Sequence, residues 1–165
     1  MKIDLKKLLS ARVDSIPFSG TLELQDEMLY GTKPFRLPVQ FQGEITSRLD
    51  VLRLTAVMET TYFTTCARCL KPLSIPLSVN VDTLLVRKDD AQEEEDGVFL
   101  LEDDTAEIEE VLRPTLFLEI EMVYLCKPDC KGLCPHCGVD RNRTQCSCDG
   151  KQIDDRLAVL KSLLQ

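Results

Sequence analysis

Residues 49–72, LDVLRLTAVMETTYFTTCARCLKP, decide the fold class of this chain of 165 residues. Up to Thr65, apolar and polar residues tend to alternate and many are β-branched, which is typical of a half-buried strand. CARCL at residues 66–70 breaks the pattern. LSIPLSVNVDTLLV at 73–86 resumes it, with Pro76 expected near a strand end or on an edge. The sequence therefore predicts two long strands in a hairpin that CARCL caps.

Two segments before this hairpin predict further strands. They are FSGTLEL at 18–24 and FRLPVQFQGEIT at 35–46. The centre of the 49–66 segment departs from a strict period of two, so we predict a bulge or a centre buried on both faces. IDLKKLL at 3–9 is too short for its periodicity to decide between helix and strand. The simplest arrangement is an antiparallel β-meander or partly closed sheet.

The negative net charge comes from one stretch. Residues 82–121 carry 15 acidic and 3 basic residues, whereas the segments on either side are mildly basic. An acidic total usually argues against nucleic-acid binding, but here it argues only against binding by the middle segment. RKDDAQEEEDG at 87–97 has no apolar anchor and predicts a solvated loop, taken as residues 87–104 in all. The alternative is that this loop attracts a basic partner.

The second half of the chain predicts two helices. Thr105 has aspartates before it and glutamates after it, and acidic side chains stabilise the positive end of a helix dipole. A helix is therefore expected to begin at Thr105, to be kinked or divided at Pro114 and to end near Ile120. IDDRLAVLKSLL at 153–164 predicts a short terminal amphipathic helix. The fold class is therefore α+β.

The eight cysteines are expected to be metal ligands. The charged N-terminus does not resemble a signal peptide, and no run of about 18 apolar residues predicts a membrane span. We therefore predict a cytoplasmic protein with no membrane partner. Cytosolic thiol buffers keep cysteines reduced, so metal ligation is the better interpretation than disulfides.

The cysteines form four doublets, and zinc takes four soft ligands in a tetrahedron, so two structural zinc ions are predicted. GLCPHCG at 132–138 is a strong metal-binding turn in which Gly138 permits a positive φ that lets amides point at sulfur. CSC follows nine residues on and suits this turn, because a short loop closes at little entropic cost. The favoured sites are Cys66, Cys69, Cys126 and Cys130 for the first and Cys134, Cys137, Cys146 and Cys148 for the second. One alternative groups Cys126, Cys130, Cys134 and Cys137 and joins CARC to CSC; another is a single zinc with spare thiols.

The pattern argues against catalysis. A catalytic zinc usually keeps an open position, with histidine or carboxylate ligands and a base nearby. The only histidine, His136, lies on the turn between two cysteines and is expected to face solvent. An iron–sulfur cluster also takes four thiolates, but the rigid CPHCG turn favours zinc. Thioredoxin-type chemistry at CARC is weaker still, because strand signals flank it. We predict a non-enzymatic protein with no small-molecule substrate.

Basic residues surround the cysteines. Each alone is interpreted as a solvated surface charge, but together they predict contacts to RNA phosphates, as in zinc-ribbon RNA binders. The candidate RNA-binding residues are Arg68, Lys127, Lys131, Arg141 and Arg143. No aromatic residues lie beside them in the sequence, so base-specific recognition is not expected.

At CARCL and CKGLCPHCG the chain resembles the YceD family, the large ribosomal RNA subunit accumulation proteins, in the version with extra cysteines. The resemblance covers most of the chain, although VDRNRTQ at 139–145 departs modestly from the family's asparagine-containing stretch. By position, the CARC and CKPDC cysteines match the widely shared metal positions, and the other four match an added zinc knuckle. Arg68 matches the arginine inside CxRCL, where it bonds a backbone carbonyl near the knuckle or touches RNA.

The resemblance implies a cytoplasmic factor for the accumulation or processing of large-subunit ribosomal RNA, with that RNA or ribosome assembly proteins as partners. The alternative is a protein-interaction module whose acidic segment binds a basic partner such as a ribosomal protein, without RNA contact. Two domains are expected. Residues 1–125 form an α+β core with the CxxC hairpin knuckle and the acidic loop, and residues 126–165 form a zinc-binding segment with the terminal helix, packed on the core.

Overall fold

The computed structural model describes residues 1–49, 51–88 and 97–148. Most of the dense acidic segment, residues 89–96, therefore lies outside the described residues. The predicted terminal helix at 153–164 does so as well.

The chain forms two compact units. The first contains Met1–Thr65 and Pro72–Tyr124, and the second contains Cys66–Lys71 and the described residues from Leu125 onward. The CARCL turn therefore groups with the cysteine-rich segment. The packing of residues 126–165 on the core stays a prediction.

Seven strands and two helices make up the described part of the first unit. In chain order they are β1 (Lys2–Asp4), α1 (Lys6–Leu9), β2 (Ser15–Leu22), β3 (Val39–Arg48), β4 (Val51–Thr65), β5 (Pro72–Arg87), β6 (Val98–Leu101), β7 (Thr105–Glu107) and α2 (Ile108–Leu118). Strands β2 to β6 form one sheet in sequence order, and β1 pairs with β7. The predicted antiparallel meander is found in β2–β5. Among the described residues the sheet is open rather than closed.

Strand β6 departs from the meander because it runs parallel to β5. Only four residue pairs join the two strands, which is about 13 Å of strand. The ten-residue connection Lys88–Gly97 reaches about 33 Å when extended, so it is long enough for the return crossing. Alternation in a sequence reports a strand but not its direction, which is why the parallel pairing was not predicted.

Strand β4 keeps a strict alternation, and the predicted bulge is wrong. Leu52, Leu54 and Ala56 are buried, and the pairing with β3 and β5 runs without interruption. The alternation is hard to see in the sequence because Val51 and Val57 are apolar residues on the opposite, more exposed face. Opposite Ala56 the sheet requires Gly43, since a Cβ there would lie 2.7 Å from the Ala56 Cβ.

Buried side chains of the sheet and both helices form one core. Helix α2 contributes Ile108, Leu112 and Leu116, which recur at the helical period, and α1 contributes Leu8. Each such leucine stabilises the fold by about 1.5–3 kcal/mol when fully buried. The first unit is therefore held by its own apolar core.

Helix α2 begins three residues later than predicted. Thr105–Glu107 is strand β7, and the Thr105 amide donates to the Asp103 carboxylate at 2.8 Å, so the aspartate binds a strand rather than a helix start. The pairing partner is β1, which means that IDLKKLL contains both a strand and a helix. Pro114 lies exposed inside α2, and the helix continues to Leu118. Among the described residues, no helix is long and apolar enough to cross a membrane.

Pro76 lies on an open edge, as predicted. The Leu84 amide donates to the Gly97 carbonyl on the β6 side, so the even-numbered amides of β5 face that side. Strand β6 pairs only with Leu84–Arg87, and among the described residues no strand continues this edge alongside Pro76. The missing N–H of the proline thus faces the unpaired edge, where it removes no sheet hydrogen bond.

Candidate metal centres

The CARCL turn presents two sulfurs of the first cysteine tetrad. The Cys66 amide donates to the Lys71 carbonyl at 2.8 Å, and the Leu70 amide donates to the Cys66 carbonyl at 2.9 Å, which closes the turn. Leu70 takes a positive φ of 59° to do so. The side chains of Cys66 and Cys69 consequently lie on one side of a tight loop.

The CKPDC segment supplies the other two sulfurs. The Sγ atoms of Cys66 and Cys130 are 3.8 Å apart, and those of Cys69 and Cys126 are 3.6 Å apart. All four sulfurs lie within 4.8 Å of one another. Cys66 and Cys130 are buried, and the other two are half-buried. This tetrad can hold one metal ion.

The thiols of the first tetrad have strongly separated pKa values. Desolvation acts to raise the pKa of Cys66, but backbone amides of Cys126 and Cys69 that point at its sulfur outweigh it and lower the pKa to about 6. Desolvation and the adjacent Cys130 thiol raise the pKa of Cys126 to about 12. Four crowded thiolates repel one another, so a bound cation is what allows all four to ionise at neutral pH.

The second tetrad is built on the LCPHCG turn. The Cys134 amide donates to the Val139 carbonyl and the Gly138 amide to the Cys134 carbonyl, both at 2.8 Å. Gly138 has the positive φ predicted for it, 72°. Backbone amides of Cys137 and His136 that point at the Cys134 sulfur lower its pKa to about 6. The sulfurs of Cys134, Cys137, Cys146 and Cys148 lie within 4.8 Å of one another.

The structure thus brings the eight cysteines together in the grouping that the sequence favoured. Cys126 and Cys130 lie with the CARC pair, rather than with Cys134 and Cys137 as in the competing grouping. Each tetrad joins two doublets, so each can surround one ion. Metal binding by these residues stays a prediction.

Arg68 makes the backbone contact that was one of its two predicted roles. Its Nη1 donates to the Cys130 carbonyl at 2.9 Å, and its own carbonyl accepts from the Leu133 amide at 3.0 Å. Gly132 packs directly against Arg68 and has a positive φ of 70°. There is no space for a side chain at this position, since a Cβ would lie 2.9 Å from the Arg68 carbonyl oxygen. The arginine therefore ties the CARC turn to the CKGLC segment.

Asn142 is a structural residue to which the sequence assigned no role. Its Oδ1 accepts from the Lys131 amide at 2.9 Å. Its Nδ2 donates to the Asp140 carboxylate at 2.7 Å and lies 3.5 Å from the Cys130 sulfur. Asn142 belongs to the loop between Cys137 and Cys146, so it connects the loop of the second tetrad to a sulfur of the first. The asparagine in VDRNRTQ was a visible signal, but the contact depends on tertiary proximity.

The candidate RNA-binding residues differ in their surroundings. Lys127 pairs with Asp129 at 3.5 Å and Arg143 with Asp140 at 3.6 Å. Lys131 and Arg141 are exposed, and neither has an acidic side chain within 4.0 Å in the described part of the chain.

Lys131 and Arg141 line one cleft of about 450 Å³, together with His136 and Thr144. Cys134, Cys146 and Cys148 of the second tetrad form part of its wall. His136 is exposed, in agreement with the prediction that it faces solvent. The cleft therefore combines exposed cations with a rigid, turn-built wall.

The cysteine motifs occur in a chain that matches a known family. The family profile described as "Large ribosomal RNA subunit accumulation protein YceD" matches residues 54–164, about two thirds of the chain. The chain belongs to the YceD family. The resemblance seen in the sequence is thereby confirmed.

Relatives of this YceD-family chain occur in bacteria and plants. YlbN, an uncharacterized protein of Bacillus subtilis, is 26% identical over 167 aligned positions, covering 100% of this chain and 97% of the relative. An uncharacterized protein of Mycobacterium tuberculosis is 36% identical over 102 residues, covering 60% of this chain and 49% of the relative. A chloroplastic large ribosomal RNA subunit accumulation protein YCED homolog of Zea mays is 28% identical, covering 82% of this chain and 56% of the relative.

The chain spans about half the length of the mycobacterial relatives that it matches. No solved structure matches the chain.

Proposed function

We propose that this YceD-family protein is a non-enzymatic ribosome-biogenesis factor that supports the accumulation or processing of large-subunit ribosomal RNA by contacting that RNA. Two structural zinc ions hold the surface that makes the contact. The observation that carries the proposal is a pair of all-cysteine tetrads, the second of which borders a cleft with two exposed cations that have no acidic partner among the described residues. The protein acts in the cytoplasm, where thiols remain reduced and available to zinc.

The sulfur spacing of the first tetrad suits zinc, and we extend this metal to the second. Four sulfurs at about 2.3 Å from a zinc ion in a tetrahedron lie about 3.8 Å from one another. The Cys66–Cys130 and Cys69–Cys126 sulfur separations of 3.8 and 3.6 Å match this spacing. Four thiolates leave no open coordination position for a substrate, which favours a structural ion and a non-enzymatic protein.

RNA contact is supported by the exposed cations of the second unit. Lysine and arginine bind phosphate by displacing condensed counterions, which is the main sequence-independent contribution to nucleic-acid affinity. The maize relative carries large ribosomal RNA subunit accumulation in its name, and we extend that role to this chain. The partners are therefore large-subunit ribosomal RNA and the assembly particles that contain it.

Metal analysis tests the zinc component. Protein purified under reducing conditions should contain about two zinc ions per chain, and replacing Cys66 and Cys126 with serine should leave about one. Replacing Cys137 and Cys148 with serine should also leave about one. Protein that contains iron, or no metal, would contradict this component of the proposal.

Crosslinking in cells tests the RNA component. Ultraviolet crosslinking followed by sequencing of the attached RNA should enrich large-subunit ribosomal RNA over small-subunit RNA. Attached proteins are identified in parallel. Recovery of a basic ribosomal protein without crosslinked RNA would replace the proposal with the protein-interaction alternative.

A further inference from the structure

We propose that the cleft between Lys131 and Arg141 is the phosphate-binding site of the RNA contact, and that it takes a backbone phosphate of one nucleotide of single-stranded RNA. The inference rests on the proposed function, and it reduces the candidate phosphate-binding residues from five cations to two. It also predicts that the remaining three candidates contribute less to affinity.

The five candidate cations differ in their polar partners. The Arg68 guanidinium is engaged by the Cys130 carbonyl, and acidic side chains lie beside Lys127 and Arg143. A cation beside a carboxylate attracts phosphate less, because the two opposite charges cancel at a distance. Lys131 and Arg141 have no such partner among the described residues, so no carboxylate reduces their attraction for phosphate.

The size and opening of the cleft suit a phosphate of a single strand. The cleft of about 450 Å³ is within the size range of small-ligand sites, and Thr144 adds a hydroxyl that can donate to a phosphate oxygen. Its opening on the surface suits a flexible single strand, whose backbone can bend toward the turn, better than the rigid backbone of a duplex.

Hydrogen bonds hold the backbone of both cations in place. The Lys131 amide donates to Asn142 Oδ1 at 2.9 Å, and the Arg141 amide donates to the Gly132 carbonyl at 3.0 Å. The backbone of each cation is thus held by the same turn structure. Fixed backbones reduce the entropy lost when the side chains close on a phosphate.

The negative charge of a zinc-filled second tetrad also affects the cleft. A zinc ion with four thiolates carries about −2, and cysteines of the second tetrad form part of the cleft wall. Without the two cations the cleft would repel phosphate. Their removal should therefore reduce affinity more than removal of two cations elsewhere.

The test measures binding of zinc-loaded full-length protein to a fluorescent 12-nucleotide single-stranded RNA over a range of salt concentrations. The double substitution Lys131→Gln and Arg141→Gln should weaken binding at least tenfold. It should also reduce the slope of log affinity against log salt by about 0.7, because both cations act on one phosphate. The exchange Lys131→Arg with Arg141→Lys keeps both charges and should retain most of the affinity.

Two other double variants serve as comparisons. Lys7→Gln with Arg12→Gln makes the same charge change in the first unit, where both side chains are exposed, and should alter affinity less than twofold. Lys127→Gln with Arg143→Gln should weaken binding less than the cleft variant does. An equal or larger loss in the Lys127 and Arg143 variant would overturn the cleft assignment and leave RNA binding itself intact.

Metal content separates a ligand site from a structural role. Cleft variants that lose zinc would overturn the inference, since the cations would then serve to neutralise the thiolates. Variants that keep two zinc ions and lose RNA would support it. Wild-type protein that binds no RNA in this assay and crosslinks to none in cells would instead refute the proposed function.

Discussion

Asn142 is the residue through which the loop of one cysteine tetrad reaches the other. Its Nδ2 lies 3.5 Å from the Cys130 sulfur, and an N–H directed at a metal-bound thiolate disperses negative charge. Its Oδ1 and backbone amide hold Lys131 and Asp140 at the same time. A residue with these contacts supports the geometry of the first tetrad.

Replacing Asn142 with aspartate should weaken zinc binding at the first tetrad by about 10- to 100-fold. Aspartate keeps the size and the acceptor oxygen but removes the donor and places a negative charge beside the thiolates. Competition with a colorimetric chelator measures the affinity of each ion. Asn142→Ala should lose less affinity than the aspartate variant, and Asn80→Ala, on the exposed surface of the sheet, should lose none. Equal affinities in all three variants would show that Asn142 does not support the metal.

Gly132 and Gly138 provide a matched pair with different surroundings. Both have positive φ, 70° and 72°, but a Cβ on Gly132 would lie 2.9 Å from the Arg68 oxygen, whereas a Cβ on Gly138 meets nothing within 4 Å. Gly138→Ala should therefore cost only about 1–2 kcal/mol of conformational strain. Gly132→Ala should cost more, because the CARC contact must also move.

The chelator concentration that removes half of the zinc is measured by release of zinc into a fluorescent indicator. This concentration should be highest for the wild type, lower for Gly138→Ala and lowest for Gly132→Ala. The reverse order for the two alanine variants would show that the packing of Gly132 against Arg68 does not matter.

Residue-level geometry was predictable only where it is local. The positive φ of Gly138 follows from the metal-turn motif around it, and the short loop from Cys137 to Cys146 favoured the second tetrad, which left CARC and CKPDC for the first. The Asn142 contact joins residues 12 positions apart across a folded turn, and no periodicity signals it. The separation of Lys131 and Arg141 from the other cations likewise depends on where Asp129 and Asp140 lie in space.

At the scale of elements, two prolines occupy positions with different consequences. Pro114 lies in the interior of α2. A proline there lacks the N–H of a helix hydrogen bond, and its ring clashes with the carbonyl four residues earlier. Pro76 faces the open edge of β5, where no hydrogen bond is lost. The same residue type is therefore costly in one element and nearly neutral in the other.

Replacing Pro114 with alanine should raise the free energy of unfolding of the first unit by about 1–3 kcal/mol. The side chain is exposed, so no core packing is lost, and the greater freedom of the unfolded chain offsets only about 0.4–1 kcal/mol. Urea unfolding of zinc-saturated protein, followed by far-ultraviolet circular dichroism, measures the change.

Pro76→Ala should change the free energy of unfolding by less than about 0.5 kcal/mol. It should, however, promote self-association in sedimentation experiments, because it restores a free N–H on an unpaired edge.

A Pro114→Ala variant that is less stable than the wild type would contradict the prediction for α2, because it would show that the proline fits its helix without strain.

The strands of the meander were predictable because β-branched residues and alternation recur along them. The start of α2 was not, because acidic residues near Thr105 stabilise a helix terminus and an aspartate-capped strand equally well on local grounds. Pairing of β7 with β1 joins residues more than 100 positions apart, and it decides the outcome. Long-range pairing likewise decides the direction of β6.

At the scale of the whole molecule, the two units have different sources of stability. The first buries leucine, isoleucine, valine and phenylalanine side chains in one cluster. In the described part of the second unit, the buried apolar side chains are Cys66, Cys130 and Cys134. We therefore expect the second unit, whose buried side chains are candidate metal ligands, to depend on a bound metal for its folding free energy.

Removing zinc with excess chelator under reducing conditions should therefore unfold the second unit and spare the first. Hydrogen exchange at the Cys66, Cys134 and Gly138 amides should accelerate at least 100-fold, because their turn hydrogen bonds open. Amides of the β3–β4 ladder should exchange at unchanged rates, and added zinc should restore protection. Loss of protection throughout the chain, or none at all, would contradict separate sources of stability.

The first tetrad also imposes an order of events during synthesis. Its half-sites are separated by 57 residues between Cys69 and Cys126 and by 64 between Cys66 and Cys130. At roughly 5–20 residues per second, the ribosome needs about 3–13 s to add the second half-site after the first. During this interval the CARC thiols of the nascent chain form only half of the ligand set. We therefore expect metal binding at this tetrad to be a late step that is complete only after Cys130 has been synthesised.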